Sequence, residues 1–314
     1  MPMKIESTTV ALQRCDRYAP RRLEPVIRQL LAAIGPLPDL AGATVLLKPN
    51  LISTKNGGLP CTDGAFILAV ARRFLALQAR VLIGDSPAFG RTTTALDRIG
   101  VLGELLRLGV KVCDFVSTVQ VKLPSGVQAS LARQVMECDF LVNLPRIKAH
   151  AQLLVTLGVK NLFGCLVGLR KPWWHMVHGG ERGRFVDLLA DLVLVVPDGI
   201  TLADGITAMH CTGPTNGEPY PLGLLAASAN PVALDTAMLS VLNIEHGASP
   251  LWQVCRRRRM AGTEPDGLCF PLLSPRQVTV RDFQVPERLN PIRFSGIRFV
   301  KGLGRRMRPH LFFP

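Results

Sequence analysis

Side chains that can hold or move charge crowd into one stretch, NLPRIKAHAQLLVTLGVKNLFG at 143–164, which carries Asn143, Arg146, Lys148, His150, Thr156, Lys160 and Asn161. It follows Phe140-Leu141-Val142, an apolar run that reads as a buried strand. A second polar group follows at Lys171, Trp173, Trp174, His175 and His178. Three other apolar runs also end in polar residues: Lys48 and Asn50 after 43–47, Asp85 and Ser86 after 80–83, and Asp204 after 199–203. If these runs are parallel strands of one sheet, their carboxyl ends line one crevice, where open α/β sheets bind ligands.

The chemistry suited to such a crevice is anionic. Lys48, Arg146, Lys148, Lys160 and Lys171 repel one another and are costly to desolvate unless a counter-charge is present. A small anionic ligand bearing a phosphate or carboxylate would supply it, with Asp85 and Asp204 providing part internally. Asn50, Ser86 and Asn161 add hydrogen-bonding groups. Lys148 and His150 are the candidates for proton transfer, with Asp204 beside them, since a lysine crowded by cations has a lowered pKa. His175 and His178 stand at i, i+3 and share a face if helical. With Asp204 or His150 as third ligand they would hold a divalent metal. The blander readings are solvated faces for Lys160 and Lys171 and simple packing for the histidine pair. The loop Gly213-Pro214-Thr215-Asn216-Gly217 is placed to fold over a ligand. Asp235 reads as a charge in the first turn of its own helix. The sequence holds no G-x-G-x-x-G after a strand, no phosphate-binding P-loop and no G-x-S-x-G elbow.

The elements that must position these groups alternate. Strands are expected at 4–12, 43–47, 80–83, 110–115, 140–143, 199–203 and 222–227. Helices are expected at 20–34, from a Thr62-Asp63 cap to about 79, at 92–108 with a break near Gly100, at 184–195, and from Asn230-Pro231 to 242. A hairpin is expected around Pro124-Ser125-Gly126 and a late strand at 277–280. The pattern predicts a doubly wound, mostly parallel α/β sheet with helices on both faces. It predicts one domain over 1–250 and a basic, aromatic-containing extension over 251–314.

Composition narrows the class. The chain has 314 residues, 48% hydrophobic and 19% charged, which is globular. No apolar run reaches the length of a membrane span, and the N-terminus lacks a signal-peptide pattern, so the expected location is cytoplasmic. None of the 8 cysteines stands at C-x-x-C spacing, so no iron–sulfur cysteine motif is present. The net charge is +14, of which +9 falls in residues 251–314. Residues 291–314 interleave Lys/Arg with Phe, which suits peripheral contact with an anionic membrane surface and, less well, nucleic acid.

Several motifs occur in one order: LLKPNL at 46–51, IGDSP at 83–87, NLPRIKAH at 143–150, TLGVKNLFG at 156–164, Lys171 with His175, ADGI at 203–206, the GPTNG loop and NPVALD at 230–235. Over about residues 40–245 the chain resembles the uncharacterised family named domain of unknown function 362. The resemblance implies an α/β domain of bacteria and archaea, often linked to iron–sulfur ferredoxin modules. The family's marked polar positions fall on Lys48, Asn50, Asp85, Lys148, His150, Lys160, Asn161, Gly164, Lys171, His175, Asp204 and Asp235. The chain departs in lacking clustered cysteines, so any ferredoxin would be a separate partner. Three expectations follow: an enzyme acting on a small anion, a redox accessory to a ferredoxin-like partner, and a membrane or nucleic-acid binder through the tail.

Overall fold

The computed structural model describes residues 6–54, 56–87, 90–167 and 184–290. Strand β1 (Ala11–Arg14) and helix α1 (Pro20–Ala33) precede β2 (Thr44–Pro49), α2 (Gly64–Ala76) and β3 (Arg80–Asp85). Two short helices, α3 (Thr92–Arg98) and α4 (Leu102–Arg107), lead to β4 (Lys111–Asp114). The hairpin β5 (Thr118–Lys122) and β6 (Gln128–Ala132) forms a separate two-stranded sheet, followed by α5 (Arg133–Met136) and β7 (Phe140–Leu144). Next come β8 (Arg146–His150), β9 (Leu154–Thr156), α6 (Gly158–Asn161), α7 (Arg184–Val195) and β10 (Gly199–His210). The described chain continues through β11 (Glu218–Tyr220), β12 (Leu224–Ser228), α8 (Pro231–Val241), α9 (Pro250–Arg257) and α10 (Pro275–Val278).

The main sheet runs β1-β12-β10-β7-β2-β3-β4, and β10, β7, β2, β3 and β4 are parallel. Strands β12 and β1 add antiparallel pairs at one side. Successive residues of β2 face opposite cores. Val45 and Leu47 pack with α1 and α2, while Leu46 packs with α7. This is why the strand reads as wholly apolar: both faces are covered. The expected doubly wound, mostly parallel α/β architecture is therefore the observed one.

From β2 the chain steps outward through β3 to β4, then returns to β2's other side with β7 and moves on to β10. The strand order thus reverses between β2 and β7, and the Cα partners there are Lys48 and Asn143. That reversal opens the crevice in an open α/β sheet.

Several local expectations change. The residues after Asn143, to which no element was assigned, form a further strand: beyond Pro145, β8 continues alongside β10 in parallel. Its pattern Arg146-Ile147-Lys148-Ala149-His150 alternates, and Ile147 belongs to an apolar core on the opposite face. The strand expected at 199–203 runs on to His210, so Asp204 lies inside β10. The first strand lies at 11–14, with Thr9 making only an isolated bridge to Cys269. The strand expected at 277–280 is replaced by α10, because Ser274 and Gln277 form a reciprocal capping box with Pro at the first turn. Residues 251–290 of the expected extension pack into the cores through Trp252, Cys255, Val278 and Phe283. Residues 291–314 lie outside the described residues.

Candidate functional site

The site is built where β2, β7 and β8 meet α6. Residues 146, 148 and 150 share one face of β8, and the charged side chains they carry are buried. Each finds a different environment.

Arg146 forms a buried ion pair with Asp204 and donates to the Tyr18 hydroxyl at 2.7 Å. Tyr18 in turn donates to Asp204 Oδ1 at 2.8 Å and accepts from the Thr207 amide at 3.0 Å. Asp204 Oδ2 also accepts from the Asp63 amide at 2.9 Å, next to the cap of α2. Burial first, and then Asp204, raises the pKa of Tyr18, so the phenol stays protonated. Asp204 is thus committed to Arg146, Tyr18 and the α2 cap. Both of its carboxylate oxygens accept hydrogen bonds.

Lys48 and Asp85 form a second buried pair, Nζ to Oδ1 2.9 Å. Lys48 also donates to the Pro49 carbonyl at 2.7 Å, and Asp85 Oδ2 accepts from the Leu51 amide at 2.9 Å. A Cβ on Gly164 would lie 2.4 Å from both Asp85 Oδ1 and Lys48 Nζ. Glycine is required there because the turn after α6 presses directly on the pair.

Lys148 is different. It is fully buried at 0% exposure, yet Nζ donates only to neutral oxygens, Asn50 Oδ1 at 2.9 Å and the Pro60 carbonyl at 2.6 Å. Among the described residues no carboxylate pairs with it. Burial pushes its pKa down to about 7, with Lys160 and Arg146 adding to the fall and Cys61 and Asp85 opposing it. Its cross-strand partner on β9 is Thr156, whose buried Oγ1 has no hydrogen-bond partner among the described residues. Opposed residues of an antiparallel pair point to one side, so this hydroxyl shares the face of Lys148.

An amide relay joins Lys148 to the switch point. Asn50 Nδ2 donates to Asn161 Oδ1 at 2.7 Å, and Asn161 Nδ2 donates to Asn143 Oδ1 at 2.8 Å and to the Lys48 carbonyl at 3.3 Å. Asn143 Nδ2 closes on the Gly158 carbonyl at 2.9 Å. Asp235 anchors the far end. Its carboxylate accepts from the amides of Gly158 (2.7 Å) and Val159 (3.1 Å) at the start of α6, rather than serving its own helix as expected. Asn230 caps α8 instead. Burial raises the Asp235 pKa to about 8, against the two amide bonds. Gly158 fits because a Cβ would lie 3.0 Å from Asp235 Oδ1.

The remaining expected residues fall around this network. His150 Nδ1 accepts from the amides of Gln152 (3.1 Å) and Leu153 (3.2 Å), so the neutral ring carries its proton on Nε2. Lys160 Nζ lies 4.5 Å above the Phe163 ring and is half-buried. Ser86, half-buried, follows β3. Lys171, His175 and His178 lie outside the described residues, as do Trp173 and Trp174.

Tyr18, Pro60 and Cys61 complete the site without any signal in the charged motifs. Pro60 and Cys61 come from the turn before the Thr62-Asp63 cap, and Thr62 ties that turn to the sheet by donating to the Leu144 carbonyl at 2.6 Å. A glycine pair followed by a cap, close after Lys48-Pro49-Asn50, was the only hint that the turn folds back over the strand ends.

With this geometry in view, similarity to known proteins is informative. The chain is 34% identical over 291 residues to the thylakoid-associated protein sll1697 of Synechocystis sp. (strain ATCC 27184 / PCC 6803 / Kazusa), covering 91% of this chain and 90% of that one. The structure of the lactate racemase apoprotein from Thermoanaerobacterium thermosaccharolyticum aligns with a TM-score of 0.47 at 12% identity, over 77% of this chain and 58% of that chain. The family model described as domain of unknown function (DUF362) matches residues 45–240, which span the switch point, the relay and Asp235. The chain belongs to the DUF362 family.

Proposed function

We propose that the chain is an enzyme-like protein that takes a small anion, bearing a phosphate or carboxylate, at the β2–β7 switch point, and that Lys148 transfers a proton there. The observation that carries this reading is the contrast in counter-charge: Lys48 and Arg146 have carboxylates, whereas Lys148 has only neutral acceptors. An amine with a pKa of about 7 exchanges its proton at neutral pH, which suits a general base or acid. The orphaned Thr156 hydroxyl beside it is a ready donor to an anion oxygen.

Calorimetric titration with orthophosphate and with acetate at several pH values tests the reading. Binding of one of them should tighten as pH falls through about 7, because the protonated amine attracts the anion. Lys148→Met should abolish that binding while circular dichroism stays unchanged. Equal binding by the variant, or binding by neither probe in the parent, would overturn it.

A second reading concerns location. The chain's relative is named as thylakoid-associated, and this chain carries a net charge of +14 concentrated toward its C-terminus. No helix among the described residues is long and apolar enough to cross a membrane. Peripheral attachment through basic residues 291–314 therefore fits both observations. Flotation with vesicles rich in anionic lipid should recover the full-length protein, and a truncation at Asn290 should not float. Recovery with neutral vesicles alone, or with the truncated protein equally, would remove this reading.

A further inference from the structure

The turn that leaves β10 gathers ligand atoms of three kinds away from the buried network. His210 is the last residue of β10, Cys211 follows it, and Glu218 is the Cα partner of His210 on β11. One imidazole nitrogen, the thiol sulfur and one carboxylate oxygen all lie within 4.8 Å of one another. Hairpin pairing brings the histidine and the glutamate together. The backbone brings in the cysteine, which sits at φ 66°, a left-handed conformation that is rare for a residue with a side chain.

The cluster is built rather than incidental. The His210 ring packs against Tyr220 (centroids 5.0 Å) and Phe283 (5.9 Å), which fixes its plane. The Cys211 amide donates to the Gln284 carbonyl at 2.9 Å, and the thiol donates to Gln284 Oε1 over 3.5 Å. Glu218 is exposed, whereas His210 and Cys211 are half-buried. The turn is tied to the end of β8, where the Ala151 amide donates to the Gly213 carbonyl at 3.2 Å.

We propose that His210, Cys211 and Glu218 form a binding site for a borderline-soft divalent transition ion, zinc being the natural occupant. Thiolate, imidazole and carboxylate together suit zinc and its cobalt surrogate far better than magnesium or calcium, which take oxygen ligands. Three protein ligands leave a fourth tetrahedral position for water or an external ligand, as in open zinc sites. The ligand positions, 210, 211 and 218, match no standard metal motif, so only the hairpin reveals the set.

The test is titration of the reduced, chelator-free full-length protein with cobalt(II), followed by absorption. One cobalt per chain should bind with a thiolate-to-cobalt charge-transfer band, and zinc should displace it. Cys211→Ser should abolish the band, and Glu218→Gln should weaken binding by about tenfold or more. Both positions are at least partly exposed, and thermal unfolding of each variant should match the parent. His210→Gln, which alters the aromatic packing, should agree with them in direction. A band that survives Cys211→Ser, affinity unchanged in Glu218→Gln, or a cobalt complex removed only by changing His175 and His178 would overturn the proposal.

Discussion

Two adjoining regions of the buried network treat the same kind of charge in opposite ways. In one, Lys48 meets Asp85 and Arg146 meets Asp204, and each pair is buried with further donors and acceptors arranged around it. In the other, Lys148 is at least as deeply buried and meets only amide and carbonyl oxygens. In the first region the Arg146–Asp204 pair ties β8 and β10 to the α2 cap, and the Lys48–Asp85 pair ties β2 to β3. The second holds an ionisable group whose protonation is nearly balanced at neutral pH, and such imbalance is the usual mark of a functional residue. Burial alone therefore does not separate structural from functional charge. The proposed function rests instead on the presence or absence of a counter-charge.

Breaking the first region should have the largest effect. Asp204→Ala strands Arg146 without its partner and should cost ~3–5 kcal/mol in equilibrium urea unfolding. The double variant Arg146→Met with Asp204→Leu should recover part of that loss, because an apolar pair removes both charge-desolvation penalties but leaves the Tyr18 hydroxyl and the Asp63 amide without their carboxylate acceptor. A double variant as unstable as the single one would mean that the pair does more than balance charge.

The second region should show itself through pH. Below pH 7 Lys148 is protonated in the folded and unfolded chains alike and adds no slope. Between about 7 and 10.5 the folded chain releases the proton while the unfolded chain keeps it, so stability attributable to Lys148 rises with pH across that window. The difference between the parent and Lys148→Met should change by on the order of a few kcal/mol over this range. Parallel pH–stability curves would place a counter-charge beside Lys148 after all.

Smaller effects sharpen the comparison. Gly164→Ala inserts a methyl group against Lys48 and Asp85 and should destabilise by ~1–3 kcal/mol. It should disturb anion binding less than Lys148→Met does. The exposed pair of Arg133, which opens α5, and Glu137, which follows its last residue, supplies the baseline. Arg133→Ala should shift stability by no more than about 0.5 kcal/mol, as expected for a solvated i, i+4 pair.

The sequence by itself determined the layered α/β architecture. Short apolar runs such as 43–47 can satisfy both faces only inside a covered parallel sheet, and amphipathic runs such as 184–195 must cover it. It also determined which polar residues gather, since Lys48, Asp85 and Asn143 sit at the ends of those runs. The strand at Arg146–His150 was not among the expected elements, although its residues alternate in the sequence. Only the tertiary structure decided how these groups pair. Asp204 went to Arg146 and Asp85 to Lys48, Asp235 crossed to the amides of α6, and the Gly217-to-His210 hairpin set Glu218 beside a histidine and a cysteine. Pairing depends on register and on chain reversals between residues far apart in sequence. The energy of a buried charge depends on which oxygen lies within about 3 Å of it, and one-dimensional spacing does not carry that distance.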